Sequence, residues 1–421
     1  MPSEREVTEE SADDAALYTN RCRARLRLEE IEGARSAVAK SIARLSLDLF
    51  LSGDTEAFRY GDVIEVRDAG DDAWLGGPAP HNPALDGPDG AGGFKQLCDG
   101  SAEKPAGVAD FAWRKKLSFR TLAEAVAAAD DGDRIVLLPG THNGCGKTVE
   151  VDKLVHIAGS ADGGATVYDH RANCPALHIT HDCVLSNLTV DMTGFREGVL
   201  VENRCRVAID RCVFRCANDA CVDVGGHAHV QLGACDLCGR VGLRAFGDAK
   251  VAVRRCVFEK NRSQGLWVGE DATVSVDDSV LNDNGEEGVA VLGSATVTIS
   301  RSCIGDNGAP CVDASGAAKV QLSDTQLGGS KATCACAAWE RAAVTASRCV
   351  LEGGKSAGLL VHGDDVRMSV TDSRIQGGIE APEAVRSSLL DDRARNDLLG
   401  NSRAARLPPD LGPFAEPVGA V

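Results

Sequence analysis

Asp223, Arg244 and Trp267 follow one another at intervals of 21 and 23 residues. A carboxylate, a guanidinium and an indole set side by side hold a peptide or a sugar ring by charge and by stacking. Asp219, on the turn before Asp223, adds a second carboxylate, and Asp219, Asp223 and Arg244 together form the alternative set for lyase-like acid–base chemistry. His178 and Asp313 stand at the same recurrent spacing on either side and extend the row of binding candidates. The plainer reading of the trio is a surface ion pair beside a shielding tryptophan, since exposed pairs are common and contribute little. The row is therefore read first as a binding surface for a protein partner, with a glycan as the other ligand class, and no residue is assigned a catalytic role.

The spacing comes from a repeat, which sets the architecture before any single residue does. From Gly198 the chain runs GVLVENRCRVAIDRCVF, CVDVGGHAHVQLGACDL, GLRAFGDAKVAVRRCVF, GLWVGEDATVSVDDSVL, GVAVLGSATVTISRSCI and CVDASGAAKVQLSDTQL, with block starts 21 to 23 residues apart. Each block holds short alternating apolar runs separated by Gly-rich or Asp-rich corners, the pattern of strands too short to fold alone. Val251 and Val253 match Val274 and Val276, then Val297 and Ile299, then Val320 and Leu322. A further pair follows in each block, among them Cys212 and Phe214, Cys235 and Leu237, Cys256 and Phe258, Ser279 and Leu281, Ser302 and Ile304.

Three inward pairs per period predict three strands per coil, each pairing with its equivalent one coil along at ~4.8 Å. About ten coils starting near Thr148 are expected. On the first strand of each coil the middle residue points outward, because both its neighbours point in. That row reads His178, Leu200, Asp223, Arg244, Trp267, Ala290, Asp313, Ala337 and Leu360. Ahead of the coils, Leu122, Ala125, Val126 and Ala129 at helical spacing predict a helix that closes the open end of the stack.

The segment SFRTLAEAVAAADDGDRIVLLPGTH, followed by VEVDKLVHIAGS, resembles the opening of β-helices of the pectin-lyase-like superfamily. The repeats GLRAFGDAKVAVRRCVFEKNRSQ and GLWVGEDATVSVDDSVLNDNGEE are similar to those of F-box proteins that carry a β-helix. The likeness spans about residues 118 to 378. It implies an all-β, right-handed parallel β-helix. The F-box likeness implies recognition of a protein substrate for ubiquitin transfer, and the superfamily's sugar-cleaving members imply the alternative, a lyase or epimerase with clustered carboxylates, often with Ca2+ and an Arg or Lys base, on such a face. The paired-aspartate and Gly-His-Gly arrangement of polygalacturonases, the Arg-x-Pro-x-x-Arg of pectate lyases and the Asp-Pro-His-Glu of alginate epimerases are not found. Asp223 and Asp313 lie four coils apart, roughly 19 Å at the strand spacing, whereas carboxyls flanking a glycosidic bond need about 5 to 9.5 Å, so hydrolysis by that pair is not expected.

The domain reading assigns 1–52 to an acidic tail and an amphipathic N-terminal helix, on the stripe Leu28, Ile31, Val38, Ile42, Leu45 and Leu49. Residues 53–100 read as a small SH3-like or Tudor-like β module with Tyr60, Trp74 and Phe94 as its core, and 101–117 as a linker. The helical cap takes 118–147, the β-helix 148–378, and a C-terminal cap with a disordered tail 379–421.

A formal charge of -17 repels phosphate backbones, so neither nucleic acid nor an anionic membrane is an expected partner. No apolar run is long enough to cross a bilayer and the first residues are acidic, so a cytoplasmic or nuclear protein is expected. Seventeen cysteines recur on an inward row, where reduced thiols behave as small apolar side chains. Cys235, Cys238, Cys334 and Cys336 are accordingly read as core rather than metal ligands, and His227 and His229 as a solvated corner without an acidic partner. No metal or cofactor is expected.

Overall fold

The computed structural model describes residues 63–66, 117–160, 166–192, 196–216, 218–329, 331–354, 357–389 and 396–399. The helix expected over 15–51, most of the 53–100 module and the final tail lie outside the described residues. The described strands form an all-β parallel solenoid of about eleven turns, with three sheets of thirteen, twelve and eleven strands. The chain comprises two compact units. One takes the described residues up to Asn143 with 151–160, Thr166 and 181–186, and the other takes 144–150, 167–180 and the described residues from 187 onward.

In the second unit the repeat predicts the pairing residue by residue. Val230, Val251, Val274, Val297, Val320 and Val344 stack in one register along the thirteen-stranded sheet. Phe214, Leu237, Phe258, Leu281, Ile304 and Leu327 do the same along the twelve-stranded sheet. All are buried, and full burial of such a side chain stabilises by roughly 1.5–3 kcal/mol. Strands of three to five residues carry too little on their own, so each coil is stable only on its neighbour.

The corner between these two sheets explains why thiols and hydroxyls recur there. Arg211, Ala234, Arg255, Asp278, Arg301, Asp324, Arg348 and Asp372 all have φ between 46° and 53°, a left-handed conformation that costs a side-chain-bearing residue about 1–2 kcal/mol. Hydrogen bonds to both sides hold it. The amide of each of the first seven donates to the next coil, as in Asp278 N to Ser300 O at 3.2 Å. The next residue turns its hydroxyl or thiol back on the carbonyl before the corner, as Ser279 Oγ does to Asp277 O at 2.8 Å and Cys256 Sγ to Arg254 O at 3.3 Å. Cys212, Cys235 and Cys256 are buried on one row, as the repeat requires.

A second internal row was not anticipated. Asn261, Asn284 and Asn307 lie buried at the corner leading back to the eleven-stranded sheet. Asn261 Nδ2 donates to Asn284 Oδ1 at 2.8 Å, Asn284 Nδ2 to Asn307 Oδ1 at 2.9 Å, and each amide also donates to a main-chain carbonyl of the preceding coil.

In the first unit the helix is Leu122–Ala128, opened by a capping box in which Thr121 and Glu124 bond each other's backbone N–H. Lys153 Nζ closes it by donating to the carbonyls of Val126, Ala127 and Ala129 at 2.9–3.1 Å, a favourable place for a cation. Leu122, Ala125 and Val126 are its buried face. Two expectations change here. Val63–Val66, assigned above to a separate barrel, pairs in parallel with Leu117–Phe119 and with Arg134–Leu137. It is a strand of the thirteen-stranded sheet, and the start of the 118–147 cap already carries solenoid strands. A parallel partner so far away in sequence leaves no local turn signal to read. At the other end pairing does not stop at Gly378. Ile379–Glu380 pairs with Leu359–Leu360, and Asp397–Leu399 pairs with Arg374–Gln376 after the helix Glu383–Leu389 interrupts the repeat.

Candidate functional site

The outward row of the eleven-stranded sheet is in register from His178 to Leu360 in the order expected. Asp223 is the fourth residue of Ala220–Val224, and Arg244 that of Val241–Ala245. Inward-pointing Val222, Val224, Leu243 and Ala245 anchor both, which fixes their side chains on the same face.

Arg244 does not pair with Asp223 alone. Its Nε donates to Asp223 Oδ1 at 3.1 Å and its Nη2 to Asp223 Oδ2, the two-pronged geometry a guanidinium favours. Nη1 reaches Asp219 Oδ1 at 3.1 Å, and Nη2 also reaches Glu197 Oε1 at 3.2 Å. Asp219 is held by its turn, where its Oδ1 accepts from the Ala220 amide at 3.0 Å. Glu197 sits on the preceding coil's corner, and its carbonyl accepts from the Ala176 amide at 3.3 Å. Three carboxylates thus surround one guanidinium. The surface ion pair entertained from the sequence is not what forms, because the Asp223 side chain is only 4% exposed.

Burial pushes the Asp223 carboxyl above the ordinary aspartate range; Arg244 works against the shift, and Glu197 and Asp219 add to it. The same contacts raise Arg244 well above its already high value, led by its hydrogen bond to Asp223 and opposed by burial. Arg244 therefore stays protonated and cannot serve as a base. Burial helps Asp223 to retain a proton.

Two aromatic rings lie along the sheet beside this cluster. Trp267, half-buried and next in register after Arg244, rests on Gly269, where a β-carbon would come within 2.4 Å of the indole. The Phe246 ring rests on Gly225 in the same way, at 2.7 Å from the position of a β-carbon. Glycine at these two positions is what lets the rings lie flat.

The other predicted residues sit elsewhere on the face. His178 lies two rungs before Asp223, with Nδ1 2.7 Å from Glu150 and Nε2 3.2 Å from Glu202. Asp313 lies four rungs after Asp223 and accepts from Trp339 Nε1 at 2.6 Å, while the Trp339 ring is 5.5 Å from that of His362. Burial raises Asp313 despite the indole bond, and Glu287 adds to the rise. His227, expected to lack an acidic partner, has Asp248 at 3.0 Å from its Nδ1. Cys235, Cys334 and Cys336 are buried and Cys238 is exposed. Among the described residues no three His, Cys, Asp or Glu side chains are grouped so as to hold a metal ion.

Sequence reasoning missed Glu197 and Trp339. A signal existed for Trp339 alone. Glu197 occupies the position before a block start, where Ala220, Val241, Gln264, Glu287 and Pro310 stand in other coils, so the residue type there is not set by the repeat. Trp339 is two residues past Ala337 on one strand and hence on the same face.

Residues 220–375 match the family model described as right handed beta helix region. The chain is thus a parallel β-solenoid with a right-handed β-helix region at its centre. No curated protein matches. Among solved structures, the A-module of mannuronan C-5 epimerase AlgE4 from Azotobacter vinelandii is similar at 15% identity and a TM-score of 0.48, covering 66% of this chain and 91% of that one. Pectate lyase Pel9A is similar at 14% identity and a TM-score of 0.48, covering 74% and 78%. An Acinetobacter phage tailspike protein is similar at 11% identity and a TM-score of 0.41, covering 66% and 59%.

Proposed function

We propose that the chain is a carbohydrate-active protein that binds and processes a glycan on the outer face of the eleven-stranded sheet. The observation that carries this reading is the convergence of Glu197, Asp219 and Asp223 on Arg244, with Asp223 buried. Chemistry at a sugar needs one carboxyl that keeps its proton and another that stays ionised, and environments that differ in burial supply both. Here burial raises Asp223 and makes it the member placed to hold a proton, with the more exposed Asp219 beside it as the second carboxyl group. Arg244 fixes their geometry. Trp267 and Phe246 offer flat apolar faces for a sugar ring.

The test is turnover and binding across a glycan panel. Wild-type protein acts on at least one class, and Asp223→Asn lowers the rate on the order of a hundredfold or more, the usual share of a positioned acid or base. A panel with neither binding nor turnover, or turnover indifferent to Asp223→Asn, overturns the reading.

A second reading is non-catalytic recognition of a protein partner by the same face, as the likeness of the repeats to β-helix-bearing F-box proteins implies. What favours it is that Arg244 already donates to three carboxylates, which makes the cluster a pre-ordered patch. In that case Trp267→Ala removes a specific partner while no glycan binds.

A further inference from the structure

We infer that the outer face of the thirteen-stranded sheet in the first unit is a docking surface for the chain's own residues 28–49, laid across it as an amphipathic helix. The strands of this sheet are buried in two different ways. Thr273–Asp277, Thr296–Ser300 and Lys319–Ser323 alternate, with Val274, Val297 and Val320 buried inside and Ser275, Thr298 and Gln321 exposed outside. In Val155–Gly159 and Cys183–Ser186 every residue is buried. Ile157 and Leu185 pair in register and point into the coil, so His156, Ala158, Val184 and Ser186 point outward. These four are nevertheless between 0% and 5% exposed.

The sequences of the strands carry the same distinction. A strand covered on one face alternates, as TVSVD does, whereas one covered on both faces runs nearly continuously apolar, as VHIAG and CVLS do. Among the described elements, those that pack on Val155–Gly159 and Cys183–Ser186 are neighbours in the sheet, which meet a strand along its edges and leave its outer face open. The helix Leu122–Ala128 packs instead on Val63–Val66, Leu117–Phe119 and Arg134–Leu137. The strands concerned all belong to the first unit.

Pattern, position and size select residues 28–49 as the cover. Leu28, Ile31, Val38, Ile42, Leu45 and Leu49 put one apolar side on a helix, the second layer that an apolar sheet face takes. Only residues 50–62 separate Leu49 from Val63. Val63–Val66 is itself a strand of this sheet, paired with Arg134–Leu137, which pairs in turn with Val155–Gly159. The segment is therefore tethered two rungs from the patch. A helix of this length spans roughly 33 Å, and the rungs from Leu117–Phe119 to Cys183–Ser186 extend over roughly 19 Å. A second copy of the chain is the poorer occupant, because a charge of -17 opposes self-association.

The test is modification of histidines by diethyl pyrocarbonate on the full chain, read by peptide mass spectrometry. His156 reports on the covered face, exposed His181 on access of the reagent, and His142, buried with its Nε2 on Leu138 O at 2.7 Å, on the integrity of the fold. In the wild type His181 is modified while His156 and His142 are protected. Ile42→Asp together with Leu45→Asp charges the stripe and removes the protection of His156, with His142 still protected; Lys40→Asp, on the opposite side of the helix, changes neither. Protection of His156 that survives the double substitution, or modification of wild-type His156 as fast as His181, overturns the inference. Loss of wild-type protection on dilution also overturns it, since the cover is then a second copy. If the double variant exposes His142 as well, it has unfolded, and a photoreactive benzophenone side chain placed at Ser41 of the full chain decides. Crosslinks from it to 155–159 or 183–186 uphold the inference, and crosslinks elsewhere alone overturn it.

Discussion

Two rows of side chains run the length of the second unit, one at the inner corner from Cys212 to Ser373 and one on the outer face from His178 to Leu360. At the corner every rung is a thiol or a hydroxyl, buried and bonded to its own coil or the next. On the outer face scarcely two neighbouring rungs are alike, and the charged ones recruit partners from turns and corners. Monotony at a position satisfies the backbone in the same way on every coil, so it reports the demands of stacking. Variety at a position with the same geometry has no such cause, and its departures gather at Asp223, Arg244 and Trp267.

Removing the centre of the varied row should have the largest effect. Arg244→Ala leaves Asp219 and Asp223 without the counter-charge they share and Glu197 with Arg196 alone, and denaturant unfolding should show a loss of about 3–5 kcal/mol. A change within the level of a surface substitution would mean that the cluster is solvated after all. In the monotonous row, Ser302→Ala removes the hydroxyl that donates to Ser300 O and accepts from the Ser279 amide, at a cost of about 1–3 kcal/mol. Ser302→Cys should recover most of this, since Cys256 fills the same role.

A pH series sharpens the contrast. Asp223 holds its proton more tightly folded than unfolded. It therefore favours the folded state below the ordinary aspartate value of about 4 and loses that contribution as pH climbs through its raised value. Asp223→Asn removes this term, so its Tm should fall less steeply above pH ~4 than that of the wild type. Parallel slopes would show that the carboxyl ionises as freely as in water. The smallest effect on stability is expected from Trp267→Ala, within about 0.5 kcal/mol, although ligand binding is lost. A stability change well beyond that would make the indole part of the fold rather than of the site.

The repeat made the outer row legible rung by rung, because a 23-residue period with inward pairs leaves little freedom in register. The conjunction at Arg244 was only half legible. Asp219 and Asp223 share a turn and a strand, but Glu197 arrives from a corner whose length varies between coils, and strand periodicity is silent about corners. Val63–Val66 shows the same limit at the scale of the fold. Its four residues, Val-Ile-Glu-Val, are of strand-forming type, and their partners lie more than fifty residues downstream, so local pattern suggested a separate β module where tertiary pairing placed a solenoid strand.

The hydroxyl row has a direction. Cys256 N donates to Ser279 Oγ, Ser279 N to Ser302 Oγ, Cys349 N to Ser373 Oγ, and Ser373 N to Asn396 Oδ1. Every such rung is completed by the one made after it, so a nascent chain leaving the ribosome always carries one unfinished corner at its growing end. Asn396, a carboxamide where hydroxyls and thiols came before, closes the series by accepting from the Ser373 amide.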